Sequence, residues 1–432
     1  MKIICCYNVN IDSVCTVDGA RITDYIKNHE INDPPDQIRD MSDFLALLLM
    51  HIKNGTGGEY LLETPAAIRE ASSLIKDPPV LRLGGNAGIA ADVLSSLGAT
   101  LVIPNVVSLS RRQADLLSGG AIQIPVYVND EVVLSKPYDA VRDQEEAIHY
   151  VFLFEKGTEI TLHGRMIRAP YSNRIIATYD PKNIAMHVNA AFRDYSDAHV
   201  AEMDGALVSG FHLLRNTYPD GSTYIDQVHR ILEQLKGWKS SNPNLRIHFE
   251  SGDFLDGDIR DHVISCISDV VDSIGMNEEE FLRGDVDLSA INIIEKSVQE
   301  IDKLGISRLC VHTRDFIVST LDPAYIDAAS EIDALNFGAS ISAARATSGY
   351  VNQESIHDAI KKPKSNADGI HECSMVQEHF NGKRIGNGIH LELNEYSVCI
   401  VPSLWCEHPV TTVGLGDTMT AAVFLRELER CQ

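Results

Sequence analysis

The residues best suited to chemistry lie near the C-terminus. Val413-Gly414-Leu415-Gly416-Asp417-Thr418 precedes Ala421, Phe424, Leu425 and Leu428, which recur at helical spacing. Residues 411–413 read as β-like, which puts the glycines at a strand-to-helix turn. Small residues there let backbone N–H groups approach an anion, and the helix dipole adds positive potential. A carboxylate at that helix start, Asp417, can take the proton of a hydroxyl as it attacks phosphorus. The same residues also suit a glycine turn with Asp417 as a helix cap. A dinucleotide fingerprint would need glycine where Met419 stands, and no G-x-x-x-x-G-K-[ST] run occurs.

Further polar groups lie at the ends of other elements. Leu245, Ile247 and Phe249 alternate on a strand, so His248 and Glu250 share its other face. Asn277 and Glu280 have the spacing of a capping pair, with Asn277 as N-cap and Glu280 reaching back. Asn10 and Asp12 follow the first strand and offer the amide and carboxylate that hydroxyl-rich ligands need, although both also suit a turn. Gly84, Gly85 and Asn86 open a helix with its cap at Asn86. His312 and Thr313 end the strand begun at Leu309.

The elements that must position these groups alternate between strand and helix, which argues an α/β fold. Strands are expected at 3–9, 101–107, 206–209, 245–249 and 309–311. Helices are expected around Ile89–Leu97, around Ile225–Leu235 with an end near Gly237, around Ile259–Val270, and over 324–348. Two stretches break the rhythm. Residues 11–80 carry Asp33-Pro34-Pro35 and Asp77-Pro78-Pro79 around helical segments, and 122–180 are rich in short β-like runs. The expected division is therefore a large domain of 1–10, 81–121 and 181–432, with a smaller discontinuous domain of 11–80 and 122–180.

Composition sets outer limits. The formal net charge of −24 repels nucleic acid and anionic membranes. Nine cysteines without a C-x-x-C pair give neither a disulfide framework nor a zinc spacing, which points to a reducing cytoplasm. The apolar run at 44–50 is about a third of a membrane span, which needs ~20 residues. The N-terminus reads as a first strand rather than a signal peptide.

Taken in order, these blocks resemble the ADP-dependent glucokinase/phosphofructokinase family of archaea, within the ribokinase-like superfamily. The C-terminal loop resembles its G-x-G-D motif, Asn8-Val9-Asn10-Ile11-Asp12 its N-terminal sugar-binding stretch, and Leu83-Gly84-Gly85-Asn86-Ala87-Gly88 its glycine motif. Residues 150–180, with Phe152, Glu155, Gly157, Pro170, Asn173 and Arg174, resemble its second lid stretch. Residues 206–210 and 336–349 also resemble family blocks. His248-Phe249-Glu250 resembles the H-x-E motif that supports metal and phosphates, and Asn277-Glu278-Glu279-Glu280 the N-x-x-E motif that organises magnesium through water.

The resemblance implies a ribokinase-like three-layer αβα domain with an α/β lid over the sugar site. It implies transfer of the β-phosphoryl group of ADP to fructose 6-phosphate, glucose or both, giving AMP, in a modified glycolysis. Asp417 would be the base, with Gly414 and Gly416 holding the transferring group. Asn10, Asp12, Glu59, Gly84, Gly85, Asn86, Lys156 and Arg174 would meet the sugar. His312, Thr313, Val413, Gly414 and Leu415 would border the nucleotide. Glu280 and Glu250 would hold Mg2+, partly through water, with Asn277 and His248 in support; Mg2+ keeps several waters and needs few carboxylates. Glu59 matches a family glutamate that contacts glucose, whereas Lys156 and Arg174 suit a sugar phosphate. Both sugars are therefore expected as substrates, fructose 6-phosphate slightly the better. The expected partners are the small sugar and ADP, with neither nucleic acid nor membrane. An ATP-dependent sugar or nucleoside kinase, or a catalytically silent sugar-binding protein, are the alternatives.

Overall fold

The computed structural model describes residues 1–29, 31, 33–142, 146–162, 164–284, 287–361 and 366–431. The chain forms two compact units. The larger comprises Met1–Val9, Gly85–Arg142 and Lys182–Gln432, and the smaller Asn10–Gly84 and Asp143–Pro181.

The larger unit is built on one ten-stranded sheet. Its spatial order is Lys383–Ile385, Gly388–Leu393, Tyr396–Pro402, Phe316–Leu321, Arg308–His312, Ser273–Asn277, Arg246–Glu250, Gly205–Val208, Lys2–Cys6 and Leu101–Pro104. The last six run parallel and the first four join antiparallel. Period-two alternation gives the sheet two apolar faces. Val398 and Ile400 bury with residues of the helices Ala290–Leu304 and Ala367–Phe380, whereas Cys399 and Val401 bury with residues of Ala328–Ser348 and Leu415–Arg430. The result is three layers, helix on sheet on helix, the α/β architecture expected from the sequence. Ile247 and Phe249 anchor Arg246–Glu250 against the helices Tyr224–Ser241 and Gly257–Ile267. Truncating Phe249 to alanine would cost roughly 3–5 kcal/mol, so the strand that presents His248 and Glu250 is firmly held.

The smaller unit carries a five-stranded sheet in the order Gly58–Leu61, Asn173–Tyr179, Ile148–Phe154, Asn10–Thr16, Val80–Gly84. Cys15, Phe152, Phe154, Ile175 and Ala177 face the helices Gly19–Ile26 and Met41–Asn54 and the 3-10 segment Pro65–Leu74. The apolar run of Met41–Asn54 is thus a core helix. Asp40 caps its start by accepting from Asp43 N, and Gly55 ends it at φ 69°. Among the described residues no helix is long and apolar enough to cross a membrane.

The structure corrects several sequence boundaries. Residues 122–142, expected in the smaller domain, belong to the larger unit. The hairpin Ile124–Val128/Glu131–Ser135 turns at Asn129 and Asp130, both at positive φ, and packs on the helix Ala190–His199, where Tyr127 Oη donates to Asp194. Ile122 also bridges to Val102. Conversely, residue 10, residues 81–84 and Pro181 belong to the smaller unit. Asn10 and Asp12 sit within a strand rather than a turn, because the chain resumes extended pairing after Val9. Residues 411–413 are loop, not strand. The helix expected to end near Gly237 continues to Ser241. The long helix begins at Ala328, four residues later than expected, because Asp327 caps it by accepting from Ala329 N and Ser330 N.

Candidate active site

In the larger unit the candidate groups gather at the carboxyl ends of the parallel strands. Asn8 follows Lys2–Cys6, Ser209 follows Gly205–Val208, Glu250 ends Arg246–Glu250, Asn277 ends Ser273–Asn277, and His312 ends Arg308–His312. From Lys2–Cys6 the chain first builds Leu101–Pro104 on one side and then Gly205–Val208 on the other. Open α/β sheets bind ligands outside such a reversal of strand order.

Asp417 stands in the first turn of the helix Leu415–Arg430. Gly414 is its N-cap at φ 72°, a conformation that favours glycine. The first helical hydrogen bond runs from Thr418 N to Gly414 O at 3.1 Å. The N–H groups of Leu415, Gly416 and Asp417 therefore have no intrahelical acceptor and form an anion-accepting end. A Cβ at Gly416 would sit 3.0 Å from His312 Cε1, so the loop passes close to the imidazole. Asp417 does not cap its own helix. Its Oδ1 accepts from Asn86 Nδ2 at 2.6 Å. Asn86 is oriented in turn by Asn8, whose Nδ2 donates to Asn86 Oδ1 at 3.2 Å. Ser209 Oγ lies 3.3 Å from Asn8 Oδ1. Asn86 is the first residue of the helix Asn86–Ser96; Gly85, at φ 76°, is the cap that the sequence assigned to Asn86. Burial, and then the charge of Glu250, push the Asp417 carboxyl up to about 6, against the pull of Asn86, Arg345 and His312.

Glu250 is the hub beside it. Its Oε1 accepts from His312 Nε2 at 3.0 Å and its Oε2 from Thr420 Oγ1 at 2.9 Å, with His248 Nε2 at 3.3 Å. His248 Nδ1 lies 2.6 Å from Ser273 Oγ. A side chain at Gly275 would overlap the Glu250 carboxylate. Burial opposes ionisation of Glu250, but the two histidines outweigh it and hold the carboxyl well below its usual range. Burial disfavours the His312 cation, yet Glu250 pushes the imidazole up to about 9. Burial keeps His248 below the usual imidazole value. Asn277 and Glu280 form the capping pair read from the sequence. Asn277 N and Nδ2 donate to Glu280 at 3.2 and 2.6 Å, and Glu280 N donates to Asn277 Oδ1 at 2.8 Å. Burial, followed by the charge of Glu250, pushes the Glu280 carboxyl up to about 8. Among the described residues no three His, Cys, Asp or Glu side chains could jointly hold a metal. Glu250 and Glu280 instead offer carboxylate oxygens that accept hydrogen bonds and keep further lone pairs.

Next to this hub a cleft of about 450 Å3 opens, within the size range of small-molecule sites. His312, Thr313, Leu415 and Gly416 line it, as the sequence suggested for His312, Thr313 and Leu415. Val413 and Gly414 do not; the Val413 N–H donates to Thr411 Oγ1 at 3.2 Å and Gly414 caps the helix. The sequence reading missed Ala339, Ala343 and Trp405 in the wall. The small residues of the helix Ala328–Ser348 leave room for a flat group, and the Arg314 guanidinium lies 5.3 Å from the Trp405 ring centre. The signal for Ala339 and Ala343 was the alanine-rich run within 336–349; Trp405 lies outside it.

The smaller unit has its own polar cluster, on the sheet face opposite its helices. Asp12, His149 and Thr178 are in register on three adjacent strands, and Glu59 shares their face. Asn10 Nδ2 donates to Asp12 Oδ1 at 2.7 Å, while Asn10 Oδ1 is buried with no hydrogen-bond partner. Gly84 pairs with Asn10, and a side chain there would overlap the Asp12 carboxylate. Thr178 Oγ1 donates to Glu59 Oε1 at 2.5 Å. His149 Nε2 lies 3.3 Å from Asp180 Oδ2 and its Nδ1 3.8 Å from Glu59 Oε1. Burial opposes the His149 cation, but Asp180, Glu59 and Asp12 push its imidazole up to about 9. His149 and Asp180 were missed because a lone histidine on a strand carries no motif. By alternation Arg174 shares this face, half-buried. Lys156 is exposed in the loop beyond Phe154, and its backbone N donates to Ser172 Oγ at 2.8 Å.

Residues 1–426 match the family model of the ADP-specific phosphofructokinase/glucokinase conserved region. The ADP-specific phosphofructokinase of Pyrococcus abyssi (strain GE5 / Orsay) is 28% identical over 452 residues, 98% of this chain and 97% of that protein. The ADP-dependent glucose/glucosamine kinase of Pyrococcus furiosus is 26% identical over 447 residues, 98% of this chain and 93% of that protein. The crystal structure of a phosphofructokinase from Pyrococcus horikoshii OT3 with AMP is similar at a TM-score of 0.79 and 25% identity, covering 99% of this chain and 98% of that one.

Proposed function

The chain belongs to the ADP-specific phosphofructokinase/glucokinase family, and on that premise we propose that it transfers the β-phosphoryl group of ADP to a sugar hydroxyl, yielding AMP. The observation that carries this reading is Asp417. Its carboxyl, pushed up to about 6, is oriented by Asn86 and lies beside three N–H groups with no intrahelical acceptor. That value leaves it ionised at neutral pH yet far more basic than an exposed aspartate, which suits a general base. Asp417 takes the proton from the attacking hydroxyl. The helix start at Gly414–Gly416 holds the transferring group, and His312 adds positive charge beside it. The cleft lined by Thr313, Ala343 and Trp405 takes the nucleoside.

Glu250 and Glu280 would hold Mg2+, in part through water, with Asn277 and His248 in support. The fit rests on the charge conflict at Glu280, which a divalent cation relieves. When bound, Mg2+ neutralises phosphate charge.

The sugar is assigned to Asn10, Asp12, Glu59, Gly84, Gly85, Asn86, Lys156 and Arg174, now with His149 and Asp180. The buried, unpartnered Asn10 Oδ1 supports this, since a hydroxyl of a ligand would satisfy it. Glu59 favours glucose, and Arg174 and Lys156 favour fructose 6-phosphate, so both are substrates with the phosphorylated sugar slightly preferred. A coupled assay with each sugar against ADP and ATP tests the reading. The expected result is AMP formed in stoichiometry with sugar phosphate. Strong use of ATP with little use of ADP would overturn it.

A further inference from the structure

We infer that a second cavity on the larger unit, rimmed by basic side chains, binds a small organic phosphate and through it adjusts the turn that carries Glu280. The cavity measures about 270 Å3 and lies among the helices Gly257–Ile267, Glu278–Leu282 and Ala290–Leu304. It shares no lining residue with the nucleotide cleft. Arg260, Arg283, Lys296 and Lys303 line it against two carboxylates, Glu300 in the lining and Asp261 at the rim. In a chain with 61 acidic and 37 basic residues, that ratio runs opposite to the composition.

The cations are arranged rather than scattered. Arg260 is only 12% exposed, and its Nη2 donates to the backbone carbonyl of Glu280 at 2.8 Å. Its Nη1 lies 3.5 Å from Asp261 Oδ1, and its Nε is buried with no hydrogen-bond partner. Asp261 also pairs with Arg283, which ends the Glu278–Leu282 helix at φ 51°. One carboxylate thus fixes two guanidinium forks at the same rim. Lys303 pairs with Glu300 at 3.3 Å on the exposed side. Met276, Phe281 and Leu309 supply an apolar floor. Guanidinium forks suit tetrahedral or planar oxyanions, and an apolar floor suits a carbon body. The volume lies below the usual range for drug-sized ligands, which limits the occupant to a small molecule.

The coupling follows from the five residues of Glu278–Leu282. Glu278 lines the nucleotide cleft, Phe281 and Leu282 line this cavity, and Glu280 stands between them. A ligand that draws Arg260 toward itself acts directly on the Glu280 carbonyl. The binding half of the proposal is independent of the catalytic reading; the regulatory half rests on Glu280 holding Mg2+.

Isothermal titration of the full chain with phenyl phosphate, in saturating AMP and Mg2+, tests the binding half. One equivalent should bind. Lys303→Glu and the double variant R283E/K303E should weaken it at least about tenfold, or about 1.4 kcal/mol, while Arg174→Ala leaves it unchanged. Lys303→Glu is exposed and should fold and turn over normally. Binding that is lost in Arg174→Ala, or that survives both rim variants, overturns the site. Benzoate binding as tightly as phenyl phosphate overturns the assignment to phosphates. For the regulatory half, phenyl phosphate should shift the Mg2+ concentration for half-maximal activity at least about twofold in the native chain and not in R283E/K303E. Binding without that shift overturns the coupling while leaving the catalytic reading intact.

Discussion

The two polar centres of this protein contain the same ingredients and put them to different use. The larger unit sets three carboxylates, Asp417, Glu250 and Glu280, beside one protonated histidine, His312. The smaller unit sets three carboxylates, Asp12, Glu59 and Asp180, around one protonated histidine, His149. In the larger unit the imidazolium is bound closely by Glu250, which is left strongly ionised, and burial joined by that charge pushes Asp417 to about 6 and Glu280 to about 8. In the smaller unit the imidazolium lies within reach of two carboxylates at 3.3 and 3.8 Å. The first centre holds a charge conflict that incoming cations and protons resolve. The second surrounds its imidazolium with carboxylates and presents hydrogen-bonding groups suited to a hydroxyl-rich ligand. On the proposed function, shared composition separates into reactivity and recognition by the placing of one imidazolium.

The largest effect that sharpens this contrast is expected from Asp417→Asn. It should cut kcat at least ~10²–10⁴-fold and leave folding and sugar binding nearly intact. The native kcat/KM should fall on an acidic limb near pH 6, because only the ionised carboxylate accepts the proton. His149→Gln should instead raise the sugar KM and leave kcat within about tenfold. A collapse of kcat in His149→Gln, or near-normal turnover in Asp417→Asn, would erase the distinction between the two centres.

A smaller effect concerns Glu280. Its carboxyl binds a proton more tightly folded than unfolded. Its contribution to stability is complete below the ordinary carboxylate range and is lost as pH rises through about 8. Glutamine keeps the capping geometry without the charge. At pH 8, Glu280→Gln should melt higher than the native chain without metal and should lose the stabilisation that Mg2+ gives. Lower melting in metal-free Glu280→Gln would reduce Glu280 to a cap. His149 works with the same sign at a higher pH, since its imidazole also holds its proton more tightly in the folded chain. Its contribution is complete below the ordinary imidazole range, about 6.5, and persists until pH rises through about 9.

The smallest effect is one of selectivity within the second centre. Glu59→Ala should reduce glucose activity, and Arg174→Ala fructose 6-phosphate activity, each by roughly one to two decades. Equal losses on both sugars in both variants would assign these residues to folding instead. The measurement is kcat/KM for each sugar in each variant.

Much of this arrangement was legible in the chain. The face shared by His248 and Glu250, the Asn277–Glu280 cap and the Gly414–Asp417 helix start all follow from short spacings within one element, and local geometry fixes such spacings. What escaped was set by pairing between distant segments. His149 becomes meaningful only where Asp12 and Thr178 flank it in register. Asn86 finds Asp417 across more than three hundred residues of chain. The 122–142 hairpin has the same β-like composition as its neighbours in the smaller unit, and only its packing on Ala190–His199 separates it. The loop at 411–413, Thr411-Thr412-Val413, is β-branched throughout, yet no described strand pairs with it.

The discontinuous smaller unit carries a consequence for synthesis on the ribosome. The chain leaves the larger unit twice, for Asn10–Gly84 and for Asp143–Pro181. In the five-stranded sheet Gly58–Leu61 has one neighbour, Asn173–Tyr179, which belongs to the second excursion. Of that sheet's strand pairs, the first excursion can form on its own only Asn10–Thr16/Val80–Gly84, with the single bridges Val17–Ile75 and Ile38–Leu62 beside it. Until residue 179 emerges, at ~5–20 residues per second, Phe44 and its neighbours on Met41–Asn54 lack Phe152 and Ile175, the strands' contribution to their cluster. A nascent chain stalled in this window exposes an apolar helix face for seconds. That interval is the point at which a chaperone or a protease would meet this protein.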